Sequence, residues 1–87
     1  MNDADVVQRY NAGEHAAINA PLHHLIGQLW DTCDVDDVDV AGDQWWHVRA
    51  ECEHTKVEAV SHGPLDLDWA FRVVLAKFRI AHEQEHE

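Results

Sequence analysis

The hydrophobic pattern of the first third of the chain predicts two helices. Residues 3–12 carry apolar side chains at helical spacing, and Gly13 follows at a position typical of a helix end. Residues 19–30 form the second candidate, because Asn19 can cap it and Pro21 falls in its first turn, where the missing N–H costs little. Its apolar positions are Leu22, Leu25, Ile26, Leu29 and Trp30. Their i, i+3, i+4, i+7, i+8 spacing predicts that this face is buried.

From Val38 onwards the apolar positions recur every second residue, which indicates strands. Residues 45–53 alternate strictly, and a two-residue turn after them would pair this strand with the next apolar run. That register sets Ala50 opposite Ala59 and keeps the apolar face continuous. A three-residue loop upstream would set Val38 opposite Trp46. The pattern therefore predicts an antiparallel meander of two to three strands.

The last third of the chain predicts a third helix. Asp66 is a plausible cap and Asp68 suits the positive end of the helix dipole. Its apolar stripe consists of Leu67, Phe71, Val74, Phe78 and Ala81, widened by Ala70, Val73 and Ile80. We expect this stripe to cover the sheet, and we expect residues 82–87 to fray, because acids crowd the negative end of the dipole there.

The element order gives one α+β domain spanning residues 1–87, with two N-terminal helices, a small meander and a C-terminal helix packed on the sheet. The chain is 46% apolar and has four Trp residues, enough for a modest core. No run approaches the roughly 20 apolar residues that span a bilayer, and the N-terminus does not resemble a secretory signal. Two cysteines make no disulfide framework, so we expect reduced thiols in a cytoplasmic protein.

The charge is strongly negative and uneven. The chain has 17 acids against six Lys and Arg residues, a formal net charge of −11. Residues 1–44 account for −8 and residues 45–87 for −3. A field of this sign repels nucleic acid and anionic membranes and speeds encounter with basic protein surfaces. The sequence therefore predicts a basic protein partner and excludes direct binding of DNA or RNA.

An acidic stretch carries most of this excess. It contains six aspartates: Asp31, Asp34, Asp36, Asp37, Asp39 and Asp43. An EF-hand starting at Asp37 would have Ala41 at ligand position 5 and Val48 at position 12, and one starting at Asp34 fails at the same positions. A non-specific divalent site and a solvated loop with a charged edge strand are alternatives. We interpret the stretch as a partner-binding surface.

Trp45 extends this predicted surface. Trp46 belongs to the inner sheet face, so Trp45 is expected to point outward beside Asp39. Tryptophan next to carboxylates is a common composition of binding hot spots. The alternative is that the N-terminal helices cover that face.

Two patterns resemble metal sites. The segment from His82 to His86 matches the H-E-x-x-H of zinc peptidases, but the third ligand that those sites take from further downstream has no counterpart before the last residue. The predicted register also sets His47 opposite His62, with Asp37 beside them. Exposed polar residues on a sheet face seldom form a site, and no nucleophile elbow or phosphate-binding loop occurs. The sequence predicts no enzyme, no cofactor and no metal.

In size, charge and α+β layout, the chain resembles phage-encoded inhibitors of bacterial defence such as anti-CRISPR proteins, some of which imitate DNA. The resemblance covers the whole chain and rests on no motif, so no functional residue is carried over. It implies a partner with a Lys- and Arg-lined nucleic-acid channel in the host cytoplasm. Immunity proteins that neutralise basic toxins share these features and are the alternative, as is a small acidic adaptor domain of a halophile. A halophile would spread its acids evenly.

Overall fold

A computed structural model shows the α+β architecture that the sequence predicts. It describes residues 2–14, 18, 21–32, 35–42, 45–53, 55–61 and 67–85, with the backbone alone for residues 32, 35–37, 84 and 85. Over these residues the elements are α1 (Asp3–Asn11), α2 (Leu22–Thr32), β1 (Val35–Ala41), β2 (Trp46–Cys52), β3 (Lys56–Ser61) and α3 (Leu67–Glu85). The strands form one antiparallel sheet in the order β1-β2-β3, and α3 packs on it.

Helix α1 has a complete cap at each end. The side chain of Asn2 accepts a hydrogen bond from the backbone N–H of Asp5 at 2.8 Å. Gly13 takes a positive φ of 79°, and its N–H and that of Glu14 donate to carbonyls of the last helical turn. These two bonds form a Schellman motif, which explains why the helix ends where the sequence predicts.

Helix α2 buries a narrower face than its apolar spacing predicts. Leu25 and Leu29 are buried, and Leu22 and Ile26 pack against the core, but Trp30 is 49% exposed. The prediction that Trp30 is buried was therefore wrong. Helix α2 packs against α3 and touches β1, so only the central rows of its apolar stripe meet a neighbour. The predicted cap Asn19 lies outside the described residues.

The pairing of β2 with β3 differs from the predicted register by two residues. Ala50 lies opposite Val57 rather than Ala59, because the chain reverses one residue earlier than predicted: the Cys52 N–H donates to the Thr55 carbonyl at 2.8 Å, so Cys52 pairs with Thr55 and Glu53 no longer pairs with Lys56. The observed register sets Glu51 opposite Lys56, whereas the predicted one set it against another glutamate. A shift by an even number keeps every side chain on its predicted face.

The pairing of β1 with β2 is shifted by four residues. Val38 lies opposite Ala50 instead of Trp46, and the register is irregular between Val35 and Asp37. The longer connection includes Gly42, whose φ of 156° is accessible mainly to glycine. A Cβ atom there would lie 1.7 Å from the carbonyl oxygen of Trp45, so only glycine fits.

Helix α3 is buried around most of its circumference. It packs against β2 and β3 on the inner face of the sheet and also against α1 and α2. Of the predicted stripe, Phe71, Val74 and Phe78 are buried and Leu67 is half-buried, and Trp69, Leu75 and Ala76 are buried as well. The helix continues to Glu85, beyond the position at which fraying was expected.

Charged side chains join α1 to α3. The carboxylate of Asp3 accepts hydrogen bonds from Arg72 at 2.9 Å and Arg79 at 3.4 Å. Both arginines belong to α3, so these bonds tie α3 to the first turn of α1. Both pairs are largely shielded from water, so they contribute more to stability than surface ion pairs do.

Among the described residues, no helix is both long and apolar enough to cross a membrane.

Candidate partner-binding surface

The structure describes part of the predicted partner-binding surface. Asp31 is exposed near the end of α2, Asp39 is exposed in β1, and Trp45 is 48% exposed just before β2. Asp36 and Asp37 lie in β1, where the backbone alone is described. Asp34 and Asp43 lie outside the described residues. Two of the six aspartates are thus placed with their side chains, and both are in water.

The outer sheet face carries the strand residues that alternate with the buried ones: the polar Asp39, His47, Arg49, Glu51, Lys56 and Glu58, together with Ala41 and Val60. These side chains are exposed or half-buried, whereas Val48, Ala50 and Ala59 on the opposite face are fully buried. The N-terminal helices pack on α3 instead of on this face. The sheet therefore presents a polar surface to solvent, and the alternative of burial under those helices is excluded for Trp45.

An ion pair and a hydrogen bond between side chains organise the outer sheet face. Arg49 donates to the Asp39 carboxylate at 3.3 Å, and the Nε2 of His47 lies 3.0 Å from the Glu58 carboxylate. The side chains of both contacts are exposed or half-buried, so each contact contributes at most about 1 kcal/mol to stability. The register places Asp39 opposite Arg49, and the ring that neighbours Trp45 is that of His47, at 6.4 Å between centroids. The prediction that Trp45 lies beside Asp39 was wrong.

The basic residues are nearly all engaged within the protein. Arg9 lies 3.5 Å from Asp5, Arg49 pairs with Asp39, and Arg72 and Arg79 share Asp3. Lys77 donates to a backbone carbonyl, and Lys56 lies opposite Glu51 in the register. The six Lys and Arg residues of the chain are thus each placed against an acid or a carbonyl, and the chain's 17 acids outnumber them almost threefold. The surface charge is left strongly negative.

Two side chains close the outer edge of β3. The Tyr10 hydroxyl accepts a hydrogen bond from the Val60 N–H at 2.9 Å, and Lys77 Nζ donates to the Glu58 carbonyl at 2.8 Å. The Lys77 ammonium also lies 4.7 Å from the centre of the Tyr10 ring, a cation–π contact. Burial lowers the pKa of Lys77 below its ordinary value, and the Glu58 charge acts in the opposite direction. The outward N–H of Val60 and the carbonyl of Glu58 are therefore both hydrogen-bonded within the protein.

The observed register separates the residues of the candidate metal site. Asp37 lies opposite Glu51, and His47 lies opposite Ala41 on one side and Val60 on the other. His62, the remaining member, lies outside the described residues. Within the part of the chain that is described, no group of three or more His, Cys, Asp or Glu residues could hold a metal ion.

The first histidine of the H-E-x-x-H segment packs inward. His82 stacks on Phe78 at 6.0 Å between ring centroids, and its Nε2 lies 3.7 Å from the Sγ of Cys52. His86 lies outside the described residues. His82 is half-buried within α3, which continues to Glu85, whereas the sequence predicts fraying from residue 82.

Comparisons of the chain with protein families, with curated proteins and with solved structures find no match in any of the three. Function therefore has to be argued from the charge, the exposure and the fold of the chain itself.

Proposed function

We propose that this protein is a non-enzymatic, acidic protein-binding inhibitor that occupies a basic, nucleic-acid-binding surface of a bacterial defence complex, in the manner of anti-CRISPR proteins. The host cytoplasm is the compartment in which such a complex operates. The proposal extends the resemblance in size, charge and layout to phage-encoded inhibitors of bacterial defence.

One observation carries this proposal: the protein's cations are used internally, and a formal net charge of −11 remains. Five of the six bases contact an acid or a carbonyl of the same chain, and the sixth faces Glu51. Of the acidic stretch, only Asp39 pairs with a base among the described side chains. A surface of this kind attracts a Lys- and Arg-lined channel and repels the nucleic acid that normally fills it.

Exposed aromatic residues support a protein partner rather than a purely solvating role for the charge. Trp30 and Trp45 each leave about half of their surface in water. Tryptophan is enriched among residues that dominate binding energy, because its ring buries a large area when a partner covers it. Charge supplies attraction at long range, and these rings supply contact area at short range.

The test is competition with DNA. Purified CRISPR effector complexes would be titrated with the protein at about 50 mM and about 300 mM NaCl, and DNA binding by the complex measured by fluorescence anisotropy. We expect displacement of DNA by at least one complex and weaker displacement at the higher salt. Binding of none of a broad panel, together with rescue of cells from a basic toxin, would replace this proposal by the immunity-protein alternative.

Charge placement needs a matched control. One variant replaces Asp34, Asp36, Asp37 and Asp39 by Asn, and the control replaces Glu14, Glu53, Glu83 and Glu85 by Gln. Both lose four negative charges, but only the first alters the acidic stretch. We expect the first to lose about tenfold or more in affinity at low salt and the control to lose much less. Equal losses would show that net charge alone, and not this stretch, governs binding.

A further inference from the structure

The two edges of the sheet differ in whether their outward backbone groups are hydrogen-bonded within the protein. Tyr10 and Lys77 close the edge of β3, as described above. No backbone hydrogen bond joins the outer edge of β1 to another element within the described residues. An open edge offers a row of donors and acceptors to another strand.

Alternation along the ladder identifies the groups at this open edge. In an antiparallel pair, the N–H and C=O of one residue point to the same side, and successive residues alternate. The Val60 N–H points away from β2, toward Tyr10, so His47 opposite it directs its backbone N–H and C=O toward β1. Ala41, which lies opposite His47 in β1, directs its backbone groups toward β2, and so does Asp39 two residues earlier. The N–H and C=O groups of Val38 and Val40 therefore point to the open edge.

The apolar side of β1 is also incompletely covered. Helix α3 packs against β2 and β3 but not against β1 in the described part of the chain. Val40 is consequently 40% exposed, although Val48, its partner on β2, is fully buried. The opposite side of β1 carries the exposed carboxylate of Asp39. The open edge is therefore apolar on one side and acidic on the other.

We propose that β1 receives an extended segment of the basic partner as a fourth strand of the sheet. The segment would alternate Lys or Arg with β-branched apolar residues. Its backbone pairs with Val38 and Val40, its apolar side chains extend the inner face beside Val40, and its basic side chains lie beside Asp39. This inference rests on the proposed function for the sign of the partner's charge and adds the mode of binding.

Charge complementarity selects this occupant over a second copy of the chain. Pairing β1 with β1 of another copy would bring two acidic strands together, each from a molecule of net charge −11. Like charges on adjacent strands oppose pairing, whereas opposite charges favour it. A basic strand would pair with the edge, cover the exposed valine and share the Asp39 carboxylate with Arg49.

The probe is a capped seven-residue peptide that alternates Lys and Val, matched in length to β1. Calorimetry on the full chain would compare it with two N-methylated forms, one blocked at every Val amide and one at every Lys amide. Only one set of amides faces β1 in either strand direction, so we expect one form to bind about tenfold more weakly and the other to bind nearly unchanged. Equal binding by both forms would overturn strand addition and leave charge-driven binding, and hence the proposed function, standing.

A protein variant gives the reciprocal test. Val40→Pro removes an outward N–H without removing a β1–β2 bond, so it should weaken binding of the alternating peptide about tenfold and leave the circular dichroism spectrum unchanged. Val40→Thr, which keeps the N–H, should bind within about threefold of the parent. Sedimentation of the parent chain should show a monomer. A dimer that Val40→Pro abolishes would assign this edge to a second copy and overturn the proposal, as would unweakened peptide binding by a folded Val40→Pro variant.

Discussion

At the residue scale, a single tyrosine joins α1 to the edge of the sheet. Helical spacing predicts that Tyr10 shares a face with Val6 and Val7, but not that its hydroxyl accepts the Val60 N–H. The ring also supports the Lys77 ammonium. One side chain thus satisfies a strand edge and stabilises a partly buried charge.

Removing the Tyr10 hydroxyl should destabilise the protein measurably. Tyr10→Phe keeps the ring but leaves the Val60 N–H without its acceptor, which should cost about 1 kcal/mol in the free energy of unfolding. Urea denaturation would measure this loss, and amide exchange at Val60 should accelerate. Gln8→Ala, at an exposed position of the same helix, is the control. An unchanged midpoint with unchanged exchange would show that the bond contributes nothing.

The lowered pKa of Lys77 predicts a pH dependence of stability. The charged form is disfavoured in the folded state, so the unfolded chain binds this proton more tightly. The resulting penalty is present below the folded pKa and disappears as the pH rises toward the ordinary value of 10.5. We expect the parent chain to gain stability relative to Lys77→Met over this alkaline range, measured as the difference in urea midpoints. A difference that stays constant with pH would contradict the burial of this charge.

At the element scale, α3 is the centre of the molecule. A stripe of apolar residues accounts for its contact with β2 and β3, while Trp69, Leu75 and Ala76 face partners that the stripe does not include. A helix packed on two sides is apolar nearly all round, and its periodicity weakens accordingly. The core therefore depends on α1 and α2 closing over the side of α3 that does not meet the sheet.

Two truncations separate the observed packing from the predicted one. Leu75→Ala should cost about 3 kcal/mol in the free energy of unfolding, because Leu75 is buried outside the predicted stripe. Trp30→Ala should cost less than about 1 kcal/mol, because half of this ring is in water although its spacing predicted burial. Denaturation midpoints of both variants decide the matter. The reverse order would mean that α2 and α3 pack as the sequence pattern alone suggests.

At the scale of the whole molecule, charge is partitioned between the interior contacts and the surface. The few bases tie elements together, above all through Asp3, and among the described side chains only Arg49 pairs with an aspartate of the acidic stretch. The cost is self-repulsion in a chain of net charge −11, and the gain is a strong field for steering a basic partner.

This field should depend on pH through the eight histidines. Histidine ordinarily titrates near pH 6.5, so their protonation would move the formal charge from −11 toward −3. The association rate with a basic partner at low ionic strength should therefore fall between about pH 7.5 and about pH 5.5 without unfolding. Stopped-flow kinetics would measure it, with circular dichroism as the folding control. A rate that is flat while the histidines titrate would show that net charge does not steer association.

The order and type of the elements follow from local patterns in the sequence. Caps and periodicity are local properties, so Asn2 and Gly13 bound α1, and alternation assigns the sheet faces correctly even where the register slips by two or four residues. The excess of acids over bases, and its concentration before residue 45, are likewise visible without a structure.

Three features depend on tertiary packing: the strand register, which faces of α3 are buried, and which sheet edge is hydrogen-bonded within the protein. Register depends on where the chain turns and on the length of the turn: the β2–β3 turn begins one residue earlier than predicted, and the β1–β2 connection is longer than predicted. The burial of Leu75 and the exposure of Trp30 depend on where neighbouring helices lie, which periodicity along one helix does not encode. The closed edge at β3 and the open edge at β1 differ because α1 and α3 bring Tyr10 and Lys77 to one side of the sheet alone.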